Sequence, residues 1–173
     1  YVMLCALDAL SRTPPLSETF CLKGGTALRL LYFTDWRHSV DLDFSVLPNF
    51  PEHELPAFLQ TWFEQVARLH GIEMTLRDFH RANGAARVRT RFLGPLRHPH
   101  RLLLDITLDE PVLLLPPHRP TVGSLFDTLR PSVLCYALEE ILAEKLRSIL
   151  QRGKARDYYD VWRLLGEKAG AFD

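Results

Sequence analysis

Hydrophobic residues recur at helical spacing near the N-terminus and in short extended segments soon after it. Residues 2–11 carry an apolar stripe that predicts a helix. Short apolar segments predict strands at 20–23 and 41–47. Between them, residues 26–32 predict a helix, because leucine and alanine favour helical structure and Thr26 can act as its N-cap. The first third of the chain therefore mixes both kinds of element.

The rest of the chain predicts further strands followed by helices. Residues 52–70 form an amphipathic pattern that predicts a helix ending at Gly71. Later strands are predicted at 72–79, 85–93 and 101–108, and later helices at 133–151 and 155–166. This order predicts an α/β (α+β) fold, in which a small mixed sheet is flanked by helices and followed by a helical C-terminal layer. We expect a single domain over 1–173, with a core at about 16–110 and a helical part at about 121–173.

Composition is typical of a globular protein. The chain has 173 residues, of which 47% are hydrophobic and 24% are charged, so it has enough apolar side chains to form a core rather than a disordered ensemble. Its apolar runs are too short to cross a bilayer and no secretion signal is recognisable, so we expect no membrane partner. Cys5, Cys21 and Cys135 form no zinc or redox motif, which predicts apolar packing in a reducing, cytoplasmic protein. Because the first residue is Tyr1 rather than Met, we expect the N-terminus to be shortened.

Charge is unevenly distributed, although the 21 basic and 21 acidic residues cancel overall. Residues 77–101 contain seven arginines and one acid, Asp78, which gives this segment a net charge of +6. Arg87, Arg89 and Arg91 alternate along a predicted strand, so they share one face at a spacing of about 6.6–6.8 Å. Such a row can follow a phosphate backbone and predicts a nucleic-acid-binding surface. The alternative is a solvated strand face whose acidic partners lie elsewhere.

Asp41 and Asp43 are the strongest candidates for chemistry. In a strand their carboxylates point to one face, whereas Leu42 and Phe44 point to the other. Neighbouring carboxylates repel each other, so a metal ion, another cation or a proton has to offset their charge. Carboxylate oxygens are ligands that Mg²⁺ prefers. A pair of exposed acids at a strand edge is the alternative.

Two further motifs support a phosphate-handling site. Gly24, Gly25 and Thr26 lie between a strand and a helix, where backbone N–H groups can bind a phosphate, although a plain tight turn explains the same residues. Asp105 interrupts an apolar strand and therefore needs a partner. Beside the first carboxylate pair, it would complete a set of three acids that can hold two Mg²⁺ ions.

The predicted C-terminal helices contribute charged residues to the same hypothesis. Lys145 lies near the middle of the apolar stripe of helix 133–151, so its ammonium either extends to the surface or contacts an anion, and we favour the anion. Asp157 borders the apolar face of the next helix and is the better candidate for a site role, although a first-turn acid also stabilises the helix dipole. Asp160 is predicted to lie nearer to solvent, in a surface ion pair with Arg156.

Together these motifs resemble the core of the nucleotidyltransferase superfamily of DNA polymerase β type. They are more similar still to the AbiEii/AbiGii nucleotidyltransferase toxins of bacterial toxin–antitoxin and phage-defence systems. The residues that carry the resemblance are Lys23-Gly24-Gly25-Thr26-Ala27-Leu28, Arg37, Ser39, Asp41-Leu42-Asp43-Phe44, Glu144-Lys145-Leu146-Arg147 and Arg156-Asp157-Tyr158-Tyr159-Asp160.

The resemblance implies a nucleotidyltransferase-like fold and Mg²⁺-dependent transfer of a nucleotide from an NTP to an acceptor hydroxyl. It also implies tRNA as a candidate acceptor and a cognate antitoxin as a protein partner. The expected metal ligands are Asp41, Asp43 and Asp105, which with Lys145 and Asp157 are also the expected catalytic residues. The expected nucleotide-binding residues are Lys23, Gly24, Gly25, Thr26, Arg37, Ser39 and Lys145. Two alternatives stay open: a nucleotide- or RNA-binding module without turnover, and an enzyme that nucleotidylates proteins.

Overall fold

The computed structural model describes residues 1–33, 35–48, 50–109, 115–122 and 129–167. Its helices are α1 (Val2–Ser11), α2 (Leu16–Thr19), α3 (Gly24–Ala27), α4 (Leu55–His70), α5 (Leu138–Arg152) and α6 (Ala155–Glu167). Its strands are β1 (Phe20–Lys23), β2 (Leu42–Val46), β3 (Glu73–Ala82), β4 (Ala85–Leu93) and β5 (Pro99–Thr107). A π-helical turn, Leu28–Tyr32, continues α3, and a 3₁₀ turn, Glu52–Glu54, leads into α4.

The five strands form one mixed sheet in the order β1-β2-β5-β4-β3. Only β2 and β5 run parallel, and the other neighbouring pairs are antiparallel. β3 and β4 form a hairpin around Asn83 and Gly84, whose φ angles of 49° and 68° are typical of a two-residue turn in a twisted hairpin. The predicted mixed sheet with flanking helices is confirmed.

One face of the sheet is apolar and packs against α1 and α4. The ring of Phe44 in β2 lies 6.1 Å from that of Trp62 in α4, and the Trp62 indole donates a hydrogen bond of 2.7 Å to the carbonyl of Ala6 in α1. Leu42 and Leu104, which are paired in register on β2 and β5, are fully buried on this face. Since side chains alternate along a strand, Asp43 and Asp105, which follow these leucines, lie on the opposite face.

The three cysteines are buried and free, as their apolar surroundings predicted. In the described part of the chain, no helix is both long and apolar enough to cross a membrane. The predicted C-terminal part, 121–173, is described at 121–122 and 129–167, and its other residues lie outside the described ranges.

The predicted helix 133–151 is wrong at its N-terminal end, since α5 begins only at Leu138. The preceding residues are extended beside β1: the backbone N–H of Leu22 donates to the carbonyl of Leu134, and that of Tyr136 donates to the carbonyl of Leu22. β1 is an edge strand, and these residues supply partners that its outer backbone groups would otherwise lack. Tertiary pairing overrides the local helical pattern here.

The prediction that Thr26 is an N-cap is also wrong. α3 begins earlier, at Gly24, whose φ of 70° turns the chain directly from β1 into the helix. The Thr26 side chain is buried and its hydroxyl donates a 2.5 Å hydrogen bond to the carbonyl of Asp41. Thr26 therefore ties the glycine turn to the start of β2.

We expect Leu104→Ala to lower the free energy of unfolding by about 2–5 kcal/mol, because it opens a cavity at the centre of the apolar face. The matched control is Leu150→Ala in α5, where the leucine is 88% exposed and the change is expected within about 0.5 kcal/mol. Urea unfolding measures both. Equal losses in the two variants would contradict the burial that the sheet assigns to Leu104.

Candidate active site

Four charged residues lie in register across four neighbouring strands. Lys23 of β1 pairs with Asp43 of β2, Asp43 with Asp105 of β5, and Asp105 with Arg87 of β4. Residues that are paired across strands point to the same face of a sheet. The sheet thus places two carboxylates side by side, with one cation at each end of the row. We call these four residues the charged row.

Asp43 is the most perturbed carboxylate of the charged row. Burial raises its pKa from 3.8 to about 6, and the charges of Asp105 and Asp41 act in the same direction, whereas Lys145 and Lys23 lower it. Burial and the two neighbouring acids together therefore outweigh the two nearby lysines.

Gly24 lies directly against the Asp43 carboxylate. A Cβ atom at this position would stand 2.4 Å from Asp43 Oδ2, and the positive φ of 70° would strain any other residue. Only glycine allows the turn between β1 and α3 to approach the acid this closely. A phosphate bound at the turn would therefore lie beside the carboxylates.

The expected metal ligands are brought close together but are not arranged around a common centre. Asp41 is half-buried immediately before β2, and Asp105 accepts hydrogen bonds from Arg87. Among the described residues, no group of three or more histidines, cysteines or acids is arranged to hold a metal ion. The donor chemistry nevertheless fits Mg²⁺, because the ligands are hard carboxylate oxygens and burial and neighbouring acids destabilise the charge of Asp43.

Lys23 is buried and contacts α5 rather than open solvent. Its ammonium lies 2.6 Å from Glu144 Oε1 and 5.4 Å from the centre of the Tyr136 ring. This contact ties the end of β1, directly before the glycine turn, to α5. Glu144 belongs to a motif that carries the family resemblance, but no site role was predicted for it.

Arg37, Ser39 and Gly25 lie together on the other side of the turn. A Cβ at Gly25 would stand 3.1 Å from Arg37 Nη2 and 3.2 Å from Ser39 Oγ. The family resemblance made Arg37 an expected nucleotide-binding residue. In the structure its guanidinium instead forms a two-pronged pair with Asp160, at 2.7 Å from Nε to Oδ1 and 2.5 Å from Nη2 to Oδ2.

The prediction for Asp160 is therefore wrong. It is fully buried rather than near solvent, and its partners are Arg37 and Lys145 rather than Arg156. The buried face of this helix was predicted from its apolar residues alone, so a buried acid on the same face was taken for a surface residue. The spacing of three and four residues from Asp157 and Leu164 was the signal that places Asp160 on the buried face.

Lys145 is buried, as its place in the apolar stripe predicted. Its ammonium lies 2.9 Å from Asp160 Oδ2 and 3.4 Å from Asp157 Oδ1, so the anions it contacts here are carboxylates of α6. Burial alone would raise the pKa of Asp157, but hydrogen bonds from Arg152 and the charge of Lys145 outweigh it and hold that pKa below its usual value. Three cations thus pair with two buried acids: Lys145 contacts both, Arg37 contacts Asp160, and Arg152 contacts Asp157.

The arginine face predicted on β4 is present. Arg87, Arg89 and Arg91 are all exposed on one side of the strand. Arg89 pairs with Asp78 at 3.2 Å and Arg87 pairs with Asp105, so two of the three have acidic partners. Arg91 has no ion-pair partner among the described residues and stands in register with Arg101, which is a second cation.

Comparison with known proteins agrees with this geometry. The family model described as "Nucleotidyl transferase AbiEii toxin, Type IV TA system" matches residues 6–172. Among solved structures, the chain is similar to MenT4, a nucleotidyltransferase toxin from Mycobacterium tuberculosis H37Rv, with a TM-score of 0.68 and 25% sequence identity. That match covers 92% of this chain and 55% of MenT4, so the chain spans about half the length of that toxin. No curated protein matches.

The family resemblance drawn from the motifs is confirmed, because the family model spans nearly the whole chain. The chain belongs to the AbiEii nucleotidyltransferase toxin family of type IV toxin–antitoxin systems.

Proposed function

We propose that this chain transfers a nucleotide from an NTP to an acceptor hydroxyl in a Mg²⁺-dependent reaction, with tRNA as the first acceptor to test. The observation that carries the proposal is the charged row beside the glycine turn. Two carboxylates in register, a glycine packed against one of them and a buried lysine on the facing helix are the parts that phosphoryl chemistry needs.

Asp41, Asp43 and Asp105 would hold the metal. When bound, Mg²⁺ neutralises the triphosphate and lowers the pKa of the attacking hydroxyl. Asp43 is ionised above about pH 6 in the metal-free protein, and it is then able to accept a cation. Because burial and two neighbouring acids destabilise its charge, Asp43 gains more from a divalent ion than an isolated acid would.

The nucleotide would lie between the glycine turn and α5. Gly24 and Gly25 begin a short helix, whose first N–H groups lack intrahelical partners, and Arg37 and Ser39 lie against Gly25. Lys145 and Lys23 contribute positive charge near Asp43. Thr26 would take part through its backbone, since its hydroxyl is already bonded to Asp41.

The acceptor would lie along β4. The arginine face begins at Arg87, which contacts Asp105, and extends away from the charged row through Arg89 and Arg91. An RNA backbone on this face would lead its terminal hydroxyl towards the carboxylates. The chain carries the net positive segment that this contact requires.

The family supports a cognate antitoxin as a partner of this chain. We place the protein in the cytoplasm, since its cysteines are free thiols and nucleoside triphosphates are available there. Incubating the purified protein with each labelled NTP, with total tRNA and with cell protein tests the reaction. Labelled RNA supports the proposal, labelled protein supports the protein-nucleotidylating alternative, and bound but unconverted NTP supports a binding module.

We expect Asp43→Asn to abolish transfer while stabilising the metal-free protein at pH 7. The folded protein binds a proton at Asp43 more tightly than the unfolded chain does, so the wild type loses stability relative to the variant as pH rises from about 4 to about 6. Thermal melting in EDTA at pH 4 and pH 7 measures this, and the difference between the proteins should disappear at the lower pH. Glu64→Gln on the exposed face of α4 is the control, with unchanged transfer. A pH-independent difference in melting temperature would refute the raised pKa.

Arg89→Ala and Arg91→Ala should each weaken RNA binding and lower its salt slope by about one, because each removes one phosphate contact. Arg68→Ala on α4, where the side chain is exposed on a different element, is the matched control. Binding titrations between low and moderate salt provide the slopes. If the double variant keeps the wild-type slope, this strand face is only a solvated surface.

Lys145→Met is expected to weaken NTP binding about tenfold to a hundredfold, through loss of a charge-assisted phosphate contact. It should also lower the free energy of unfolding by about 1–3 kcal/mol, since two buried acids lose one partner. Arg152→Met removes another partner of Asp157 but leaves Lys145 in place, so it separates the two effects. Calorimetric titration with NTP and thermal melting are run on both variants. Equal NTP affinities in the Lys145→Met and Arg152→Met variants would show that Lys145 only stabilises the packing of α5 against α6.

A further inference from the structure

Asp105 differs from the other expected metal ligands because both of its oxygens face a guanidinium. Arg87 Nε donates to Oδ1 at 2.7 Å, and Nη2 approaches Oδ2 at 3.4 Å. The two residues are paired in register on β4 and β5, so the backbone already holds them opposite each other. In this arrangement Arg87 occupies the oxygens that a metal ion at Asp105 would need.

The contact is exposed and therefore easily exchanged. The side chains of Arg87 and Asp105 are 59% and 35% exposed, and ion pairs in such surroundings contribute little because water and salt compete for both partners. By contrast, the pair between Arg37 and Asp160 involves a carboxylate that is fully buried. Arg87 is thus the cation of the site that another anion can most readily draw away.

The position of Arg87 indicates which anion that is. In the strand order, β4 lies beyond β5 and β2 from β1, so Arg87 stands on the side of Asp105 away from the glycine turn. On its other side Arg87 continues into the exposed cations Arg89 and Arg91. A phosphate chain that binds those two arginines reaches Arg87 next, about 6.8 Å further along the strand.

We propose that Arg87 is a positioning residue that competes with the metal for Asp105 until the phosphate backbone of the acceptor draws its guanidinium away. This inference rests on the proposed function, because it concerns the same carboxylates and the same acceptor. Binding of the acceptor then removes the cation that competes for Asp105, whereas NTP alone meets a site in which Arg87 and the metal compete for that carboxylate. Arg87 then acts on the reaction through Asp105 rather than by contacting the reacting atoms.

The first test is Mn²⁺ binding to the protein without nucleotide or RNA, measured by calorimetry. Arg87→Ala should bind Mn²⁺ about threefold to tenfold more tightly than the wild type, since a competing cation is lost. Arg87→Lys, which keeps the charge but not the two-pronged contact, should fall between them. Arg101→Ala is the matched control: it removes an exposed arginine four residues from Asp105 on the same strand, about 13 Å away and beyond a Debye length at physiological salt.

The second test is pyrophosphate release from NTP in the absence of acceptor, where water attacks the α-phosphorus and NMP and pyrophosphate are the products. Arg87→Ala should raise this release severalfold while lowering transfer to RNA, because Asp105 is free but a phosphate contact is missing. A merely structural role would lower both. If NTP itself displaced Arg87, the release would stay unchanged, and that result would overturn the acceptor as the trigger.

The outcomes separate this inference from the proposed function. Unchanged or weaker Mn²⁺ binding by Arg87→Ala, with transfer by the wild type intact, overturns the role of Arg87 alone. Absence of both Mn²⁺ binding and transfer in the wild type overturns the proposed function itself. Tighter Mn²⁺ binding together with faster release in Arg87→Ala, and neither in Arg101→Ala, supports the inference.

Discussion

The site depends on one electrostatic constraint, the repulsion between Asp43 and Asp105, which lie side by side in register on parallel strands. Like charges in this position destabilise a sheet, so each neighbouring strand contributes a cation, Lys23 on one side and Arg87 on the other. Lys145 approaches from α5 and acts on the same charge. Burial and the neighbouring acids nevertheless raise the pKa of Asp43 to about 6, so its charge is destabilised in the metal-free protein and a divalent ion would stabilise it.

The C-terminal helices hold three cations of the candidate site in place by means of buried acids. Asp157 and Asp160 are fully buried, and between them they bind Lys145, Arg37 and Arg152. A buried charge without a partner is strongly destabilising, so the two acids require these cations. The acids in turn orient the cations. One set of contacts therefore joins α5, α6 and the loop before β2, and it orders that loop next to the glycine turn. The stability of the helix pair and the geometry of the candidate site therefore depend on the same side chains.

Much of this arrangement was predictable from sequence. Period-two alternation located Asp43 on the polar face of β2 and the three arginines on one face of β4, and the apolar stripe of α5 identified Lys145 as buried. Asp41 was predicted on the same strand, but β2 begins only at Leu42. Patterns that depend on distant contacts were not predictable. The helix α5 begins later than its residues favour, because Leu134 and Tyr136 pair with β1, and Asp160 is buried because Arg37 and Lys145 meet it there.

The sequence by itself determined which residues share a face, because periodicity within a helix or strand depends on neighbours a few positions away. It also determined the family, since the motifs that carry the resemblance are short and local. Only the tertiary structure decided which charge meets which. Lys23 contacts Glu144, which is 121 positions away in the sequence, and Arg37 contacts Asp160, which is 123 positions away. No local sequence pattern encodes a contact between residues so far apart in the chain. The strand order likewise placed Arg87 beside Asp105, because register between strands is set by the packing of the whole apolar face.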